Sequence, residues 1–250
     1  QNMNFVFNIN NGARAWRSAI MPNGNKKTVS VVGFNNSYLL FNFLTPHPSD
    51  LMSSRNVVPF YELPRYLTSL TPTLTSQAGV SSASASLTTL TTSNIQLNQI
   101  PDKLIIFVRE PASTISASAG GGNYSDSWMS IGKISVNFNN QAGILSSATQ
   151  QDLYRYSVEN GSNQSWLEFS GSANVASLGT GLGRVVPTSG SMLILDFGKD
   201  LNIVEDFYAP GSLGNFQLQF NLQVYNQTGA TISAVEVVLI TMNSGLFSCE

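Results

Sequence analysis

Residues 216 to 224 read Phe-Gln-Leu-Gln-Phe-Asn-Leu-Gln-Val, an unbroken alternation. Phe216, Leu218, Phe220, Leu222 and Val224 fall on one face, and Gln217, Gln219, Asn221 and Gln223 on the other. A period of two is the signature of a half-buried antiparallel strand. A freely solvated strand face usually carries Lys, Glu, Thr or Arg, whereas this polar face has no charge. Because charged groups are depleted at interface cores, the four amides are candidates for burial against another protein surface. The competing reading is that Gln and Asn are simply the polar residues this chain uses throughout.

Shorter β-type runs recur along the chain with turn residues between them. Residues 28–45 are one, interrupted at Gly33 to Asn36 and closed by Pro46 and Pro48; Asn4 to Ile9 is strand-like as well. In 56–70, Pro59 and Pro64 demote the run to an edge or irregular strand, since proline cannot donate to a ladder. Residues 71–93 are mostly Ser, Thr and Ala and predict a mobile surface excursion. Asn94 to Ile100 and Lys103 to Glu110, joined by Pro101-Asp102, predict a hairpin. Met129 to Asn139, Ser191 to Phe197, Asn215 to Tyr225 and Ile232 to Met242 complete the strands, and 111–127, with Gly120-Gly121-Gly122, is a flexible loop.

Two short helices interrupt the β pattern. Ser147-Ala148-Thr149-Gln150 has the spacing of a capping box, followed by a stripe of Leu153 and Tyr156, with Tyr154 and Val158 beside it, and by Asn160-Gly161 as a left-handed stop. Ser165-Trp166-Leu167-Glu168 repeats the box and Gly171 ends it. The resulting expectation is all-β: an eight-stranded antiparallel jelly-roll sandwich with short helices inserted between strands six and seven. Residues 28–250 read as one domain, and 1–27 as a linker or the tail of a preceding jelly roll; both chain ends read as cut from something longer.

Composition narrows the choice of function. With 42% hydrophobic and 10% charged residues, the 250-residue chain can bury roughly 70–75% of its unfolded surface. The apolar runs at 103–108 and 234–242 are short and interrupted by Lys103 and Glu236, so no bilayer-spanning segment is predicted and a soluble or peripheral chain is expected. The single cysteine, Cys249, rules out a disulfide within the chain and allows a reducing compartment. Residues 1–49 carry Arg14, Arg17, Lys26 and Lys27 and no acid, a charge of +4, against −6 for the rest. Such a segment is suited to peripheral contact with nucleic acid or an anionic membrane; it lacks the aromatic interleaving of a specific nucleic-acid reader.

Catalytic chemistry finds little support. His47, the only histidine, sits between two prolines, so no histidine triad or multi-histidine metal site can be built, and no cofactor is implied. Gly179 to Gly183 resembles a phosphate loop, yet Arg184 replaces the last glycine of the motif. Glu110 and Glu236 could be imagined as a glycosidase pair, but nothing in their spacing pairs them, and Glu236 has Arg109 as an alternative partner. Asn35, Asn123, Asn160, Asn163 and Asn226 begin glycosylation tripeptides, at a frequency this composition makes unremarkable.

Several phrases in order resemble the second jelly roll of double jelly-roll major capsid proteins of virophages, polinton-like elements and large DNA viruses. They are LLFNFLTP from Leu39, NVVPFY from Asn56, IPDKLIIFVR from Ile100, ISVNFNNQAG from Ile134, YAPGSLG from Tyr208, and the 216–224 strand. The resemblance covers about 28–250. It implies a structural, non-enzymatic virion protein whose homotrimers form pseudo-hexagonal capsomers of an icosahedral shell, in contact with neighbouring capsomers, penton and minor capsid proteins. Residues 71–93, 111–127 and 141–189 would supply tower or inter-subunit loops, and Trp128, Tyr154 and Trp166 join the four amides as interface candidates. Two other readings stand beside it. One is a single jelly-roll penton protein; the other is a carbohydrate-binding β-sandwich, an adhesin or lectin-like domain, in which Trp128, Trp166 and Tyr124 stack on sugars.

Overall fold

The computed structural model describes residues 4–7, 35–42, 55–112, 114, 128–175, 184–201, 203, 209–228 and 230–249. Twelve strands are found among them: β1 (Asn56–Glu62), β2 (Arg65–Leu70), β3 (Thr88–Thr91), β4 (Ile95–Gln99), β5 (Lys103–Arg109), β6 (Ser130–Phe138), β7 (Gln141–Ile144), β8 (Ser172–Val175), β9 (Arg184–Pro187), β10 (Leu193–Asp196), β11 (Leu213–Tyr225) and β12 (Val235–Cys249). One sheet runs β1-β12-β5-β10 with β2 also on β12; the other runs β3-β11-β6-β7 with β4 also on β11; β8 and β9 form a ribbon.

Two of the twelve divisions are breaks within a longer strand. β2 pairs with the first part of β12 and β1 with its end, and β4 and β3 share β11 in the same way. Joining each pair, and setting the β8–β9 ribbon aside, leaves eight strands, ordered 1-8-3-6 in the first sheet and 2-7-4-5 in the second, all antiparallel. That order is the jelly roll, in which two sheets share one core. The helices therefore fall between the fifth and sixth strands, β7 and β10, one place earlier than expected.

The core is made by alternation on facing strands. Leu218, Phe220, Leu222 and Val224 of β11 are fully buried, together with Leu104, Ile106 and Val108 of β5 and Leu193 and Leu195 of β10. Phe138 ties the second sheet to the first, with its ring edge-on to Phe197 at 5.0 Å and stacked on Phe216 at 5.7 Å. Removing any of these rings would open a cavity between the sheets.

Three local expectations change. β4 and β5 are not a hairpin: β4 pairs with β11 and β5 with β12 and β10, so Pro101-Asp102 carries the chain from one sheet to the other. Ile100 exchanges backbone bonds with Gly211 and Ser212 beside β11, whereas the Asp102 N–H donates to Met242 of β12. Turn residues report a reversal, and they do not report which sheet receives the next strand. Residues 71–93 are built into the fold: Leu74 bridges Ile232, β3 pairs with β11, and Leu74 and Leu90 are buried. Two leucines and a long partner strand suffice where average composition suggests mobility. Of the expected first strand at 28–45, residues 35–42 are described and lie outside any sheet; of the strand-like Asn4 to Ile9, residues 4–7 do too.

Helix α1 (Gln150–Glu159) starts two residues later than the predicted box. Thr149 is its N-cap, accepting from the Asp152 N–H, while the Asp152 carboxylate accepts from the Thr149 N–H and hydroxyl. Helix α2 (Trp166–Phe169) has the expected box between Ser165 and Glu168, and Gly161 and Gly171 have positive φ as anticipated. Leu153 and Ser157 face inward; Tyr154 and Tyr156 are half-buried and Val158 is exposed. Ser157 reaches from α1 to β10, its hydroxyl accepting from the Ile194 N–H at 3.1 Å. Tyr225 closes the junction with the second sheet, its buried hydroxyl accepting from Gln150 Nε2 and donating to the Ser170 carbonyl. Burial pushes that phenol's pKa up.

Both cap carboxylates titrate below their ordinary range. The Thr149 hydroxyl and backbone N–H hold Asp152 down, helped by Arg155; the Ser165 N–H and hydroxyl hold Glu168 down. A depressed folded pKa means stability that is complete above the unfolded value, about 4 for these groups, and lost as pH falls through the folded one. Hydrogen exchange in 150–170 should therefore accelerate below about pH 4, after correction for intrinsic rates, before exchange in β5 and β11 does. Equal acid sensitivity in all three would show that the caps do not control helix stability.

Candidate assembly surfaces

β11 is the central strand of the second sheet, so its polar face is extended by both neighbours. Gln217 stands opposite Gln96; Gln219 opposite Asn137; Asn221 opposite Ser135 and Thr91; Gln223 opposite Lys133 and Thr89. Residues opposite one another share a face. Around the four amides lies a surface of amides and hydroxyls in which Lys133 is the one charge among the positions named.

Part of this face is locked by its own hydrogen bonds. Gln219 donates from Nε2 to the Thr92 carbonyl at 3.1 Å and accepts from Asn137 Nδ2 at 3.4 Å; Thr91 donates to Asn221 Oδ1 at 2.8 Å. Gln217 is exposed, and the other three amides are half-buried. Neutral groups already partnered within the sheet lose little on desolvation, whereas an unpaired charge would lose much more. The face is thus suited to burial against another protein.

The aromatic candidates have packing partners of their own. Trp128 lies 5.5 Å from the Phe107 ring on the first sheet, and Trp166 is edge-on to Tyr154, which also touches Phe169. All three candidates are half-buried, and the Tyr154–Trp166–Phe169 cluster ties both helices to the core. Tyr124, His47, the Gly179–Gly183 loop and the basic residues Arg14, Arg17, Lys26 and Lys27 lie outside the described residues. Glu236 does meet Arg109, across adjacent strands at 3.1 Å. Asn160 and Asn226 are buried, Asn160 donating to Ile194 and Asn226 to Leu74 and Ala230; the fold uses both amides internally.

A second surface was not anticipated. β12 leaves β5 after Met242, and its last seven paired residues run beside β1 alone. Every residue of β1 is exposed, and the arm is apolar on both sides: Val58, Phe60 and Phe247 on one, Val57, Tyr61 and Leu246 on the other. Gly245 lies under the Phe60 ring, where an added Cβ would come within 2.5 Å of Cζ. The sequence signal is Val57-Val58-Pro59-Phe60-Tyr61, whose apolar residues do not alternate; the proline within the run reports edge position alone.

The family model described as Major capsid protein V20 C-terminal domain matches residues 63–245, from just after β1 to Gly245 within β12. The chain belongs to that family. It is 30% identical over 248 residues to a Sputnik virophage protein provisionally named capsid protein V20, covering 97% of this chain and 40% of that protein. The cryo-EM structure of Sputnik virophage contains a chain 30% identical, superposing with a TM-score of 0.69 over 82% of this chain and 39% of the other. The mavirus major capsid protein crystal structure gives 0.64 over 83% and 42%. At 16% identity that last likeness bears on fold alone. This capsid domain spans about two fifths of the length of the relatives it matches. The family to which the domain belongs is one of structural capsid proteins.

Proposed function

We propose that this capsid domain, taken as 28–250, is the second of two jelly rolls in a longer capsid polypeptide, with 1–27 as the connection from the first. Three such polypeptides close into a homotrimer, a pseudo-hexagonal capsomer that tiles an icosahedral shell with its neighbours, penton and minor capsid proteins. The observation that carries the reading is the uncharged amide face at the centre of the second sheet, on a domain of the V20 family. Gln217, Gln219, Asn221 and Gln223 are its contact residues. Trp128, Tyr154 and Trp166 mark the parts that meet adjacent subunits, and 141–189, together with 111–127, most of which lies outside the described residues, supplies tower or inter-subunit contacts.

Arg14, Arg17, Lys26 and Lys27 make peripheral, sequence-independent contact with genome or an inner membrane. A lone Cys249 fits assembly in a reducing compartment of the host cell. Closed cyclic assembly of identical subunits accounts for a polar face that must serve every copy alike. Mass photometry of the longer polypeptide is expected to show a particle of three times the chain mass. A stable monomer at micromolar concentration would sink the capsomer reading.

A further inference from the structure

The β1–β12 arm is a two-stranded extension of the first sheet beyond β5. Seven residues of each strand make a ribbon roughly 24 Å long, and among the described residues no third strand or helix supplies the support that a ribbon needs for stability. Pro59 fits an antiparallel ladder where its missing N–H faces outward, so a further strand adding to β1 would find a gap mid-edge. Its two faces, rather than its edge, are what the arm offers.

The exposed apolar surface is concentrated in one part of the described chain. Nineteen large apolar side chains stand exposed among the described residues, and twelve of these lie between residues 4 and 63. Two more, Leu246 and Phe247, sit on the strand paired with β1. Tyr38 and Leu40, in the segment before the arm, are 82% and 84% exposed. Between Asn56 and Tyr61, and between Asn243 and Ser248, there is no charge. The surface to be covered is therefore apolar, with Glu62, at the foot of β1, its one charge.

We propose that the β1–β12 arm docks into an apolar groove of the domain that precedes this one in the same polypeptide, clamping the two together. The inference rests on the reading of this chain as the second jelly roll, and size favours that occupant over a second copy. Fourteen paired residues fall short of the about 20–30 residues a side that a stable interface between separate chains uses. Covalent connection raises the effective concentration of the two surfaces, so a smaller contact suffices. The family's C-terminal assignment, and the two-fifths coverage of its relatives, are what such a neighbour requires.

The test places photoreactive benzoylphenylalanine at Leu246, which is 74% exposed, in the longer polypeptide, and reads the products by denaturing electrophoresis and peptide mapping. The expected product keeps the mass of one chain and joins position 246 to residues upstream of Gln1. A product of twice the chain mass would overturn the proposal in favour of a second copy. Cross-links confined to residues 1–250, or none, would overturn it by showing an arm that the chain covers itself or leaves in solvent. The capsomer reading fails separately: a longer polypeptide that stays monomeric sinks it, whether or not the cross-link forms within the chain.

Discussion

Gly190→Ala is expected to destabilise the domain by about 3–5 kcal/mol, which for a typical domain is a large fraction of total stability. Gly190 has φ of +86°, and a Cβ there would lie 1.9 Å from the Trp128 carbonyl oxygen. The backbone cannot easily retreat. The Gly190 N–H donates to the Glu168 carbonyl at 3.0 Å, its own carbonyl accepts from Gln164 Nε2 at 2.8 Å, and the Trp128 N–H donates to Ser189 at 2.8 Å. These bonds staple the end of α2 to the chain entering β6, so relief of the clash would detach the helices from the second sheet.

Gly79 supplies the control. Its φ of +85° is nearly the same, but a Cβ would meet nothing within 4 Å. Gly79→Ala should therefore cost only the left-handed backbone penalty of about 1–2 kcal/mol. Urea denaturation of both variants separates the two effects, and equal midpoints would show that the approach to Trp128 contributes nothing.

Gln217→Lys should leave folding within about 0.5 kcal/mol of the parent and weaken capsomer assembly at least tenfold. Gln217 is the exposed amide of the β11 face, so a lysine there is solvated in the separate domain. Within an interface the same ammonium would be buried without a partner, at a cost of several kcal/mol. Gln219 is a poorer test, because its bonds to Thr92 and Asn137 would be lost in the folding step itself. Sedimentation across a concentration series of the longer polypeptide reads the assembly constant. Equal constants with and without the charge would show the amides to be ordinary surface.

Short-range and long-range interactions leave different marks on the sequence. The alternation of β11, the second capping box and the stops at Gly161 and Gly171 were legible, because each is decided within a few residues. The first box was displaced: Ser147 and Thr149 both have a polar residue three places on, and the Asp152 carboxylate accepts both Thr149 donors where Gln150 has other work. Gln150 instead donates to Tyr225, 75 residues away.

Long-range partners account for the remaining differences. Leu74 and Leu90 look too sparse for a core until Ile232 and β11 lie beside them. Pro101-Asp102 announces a turn, yet only the packed sandwich sends β4 and β5 into different sheets. The same holds for the candidate surfaces. Gln217, Gln219, Asn221 and Gln223 were visible as an uncharged face from the period of two alone, since side-chain direction along a strand is a local property. That they sit at the middle of a sheet, and that Val58, Phe60, Leu246 and Phe247 form an uncovered arm, depends on register between strands more than 180 residues apart. Thus the sequence by itself determined the all-β class, the amphipathic strands and most helix ends, through periodicity and backbone chemistry. Strand order, sheet membership and the exposed arm were decided only in the tertiary structure, because burial is a property of what lies opposite, and that is not written beside the residue it covers.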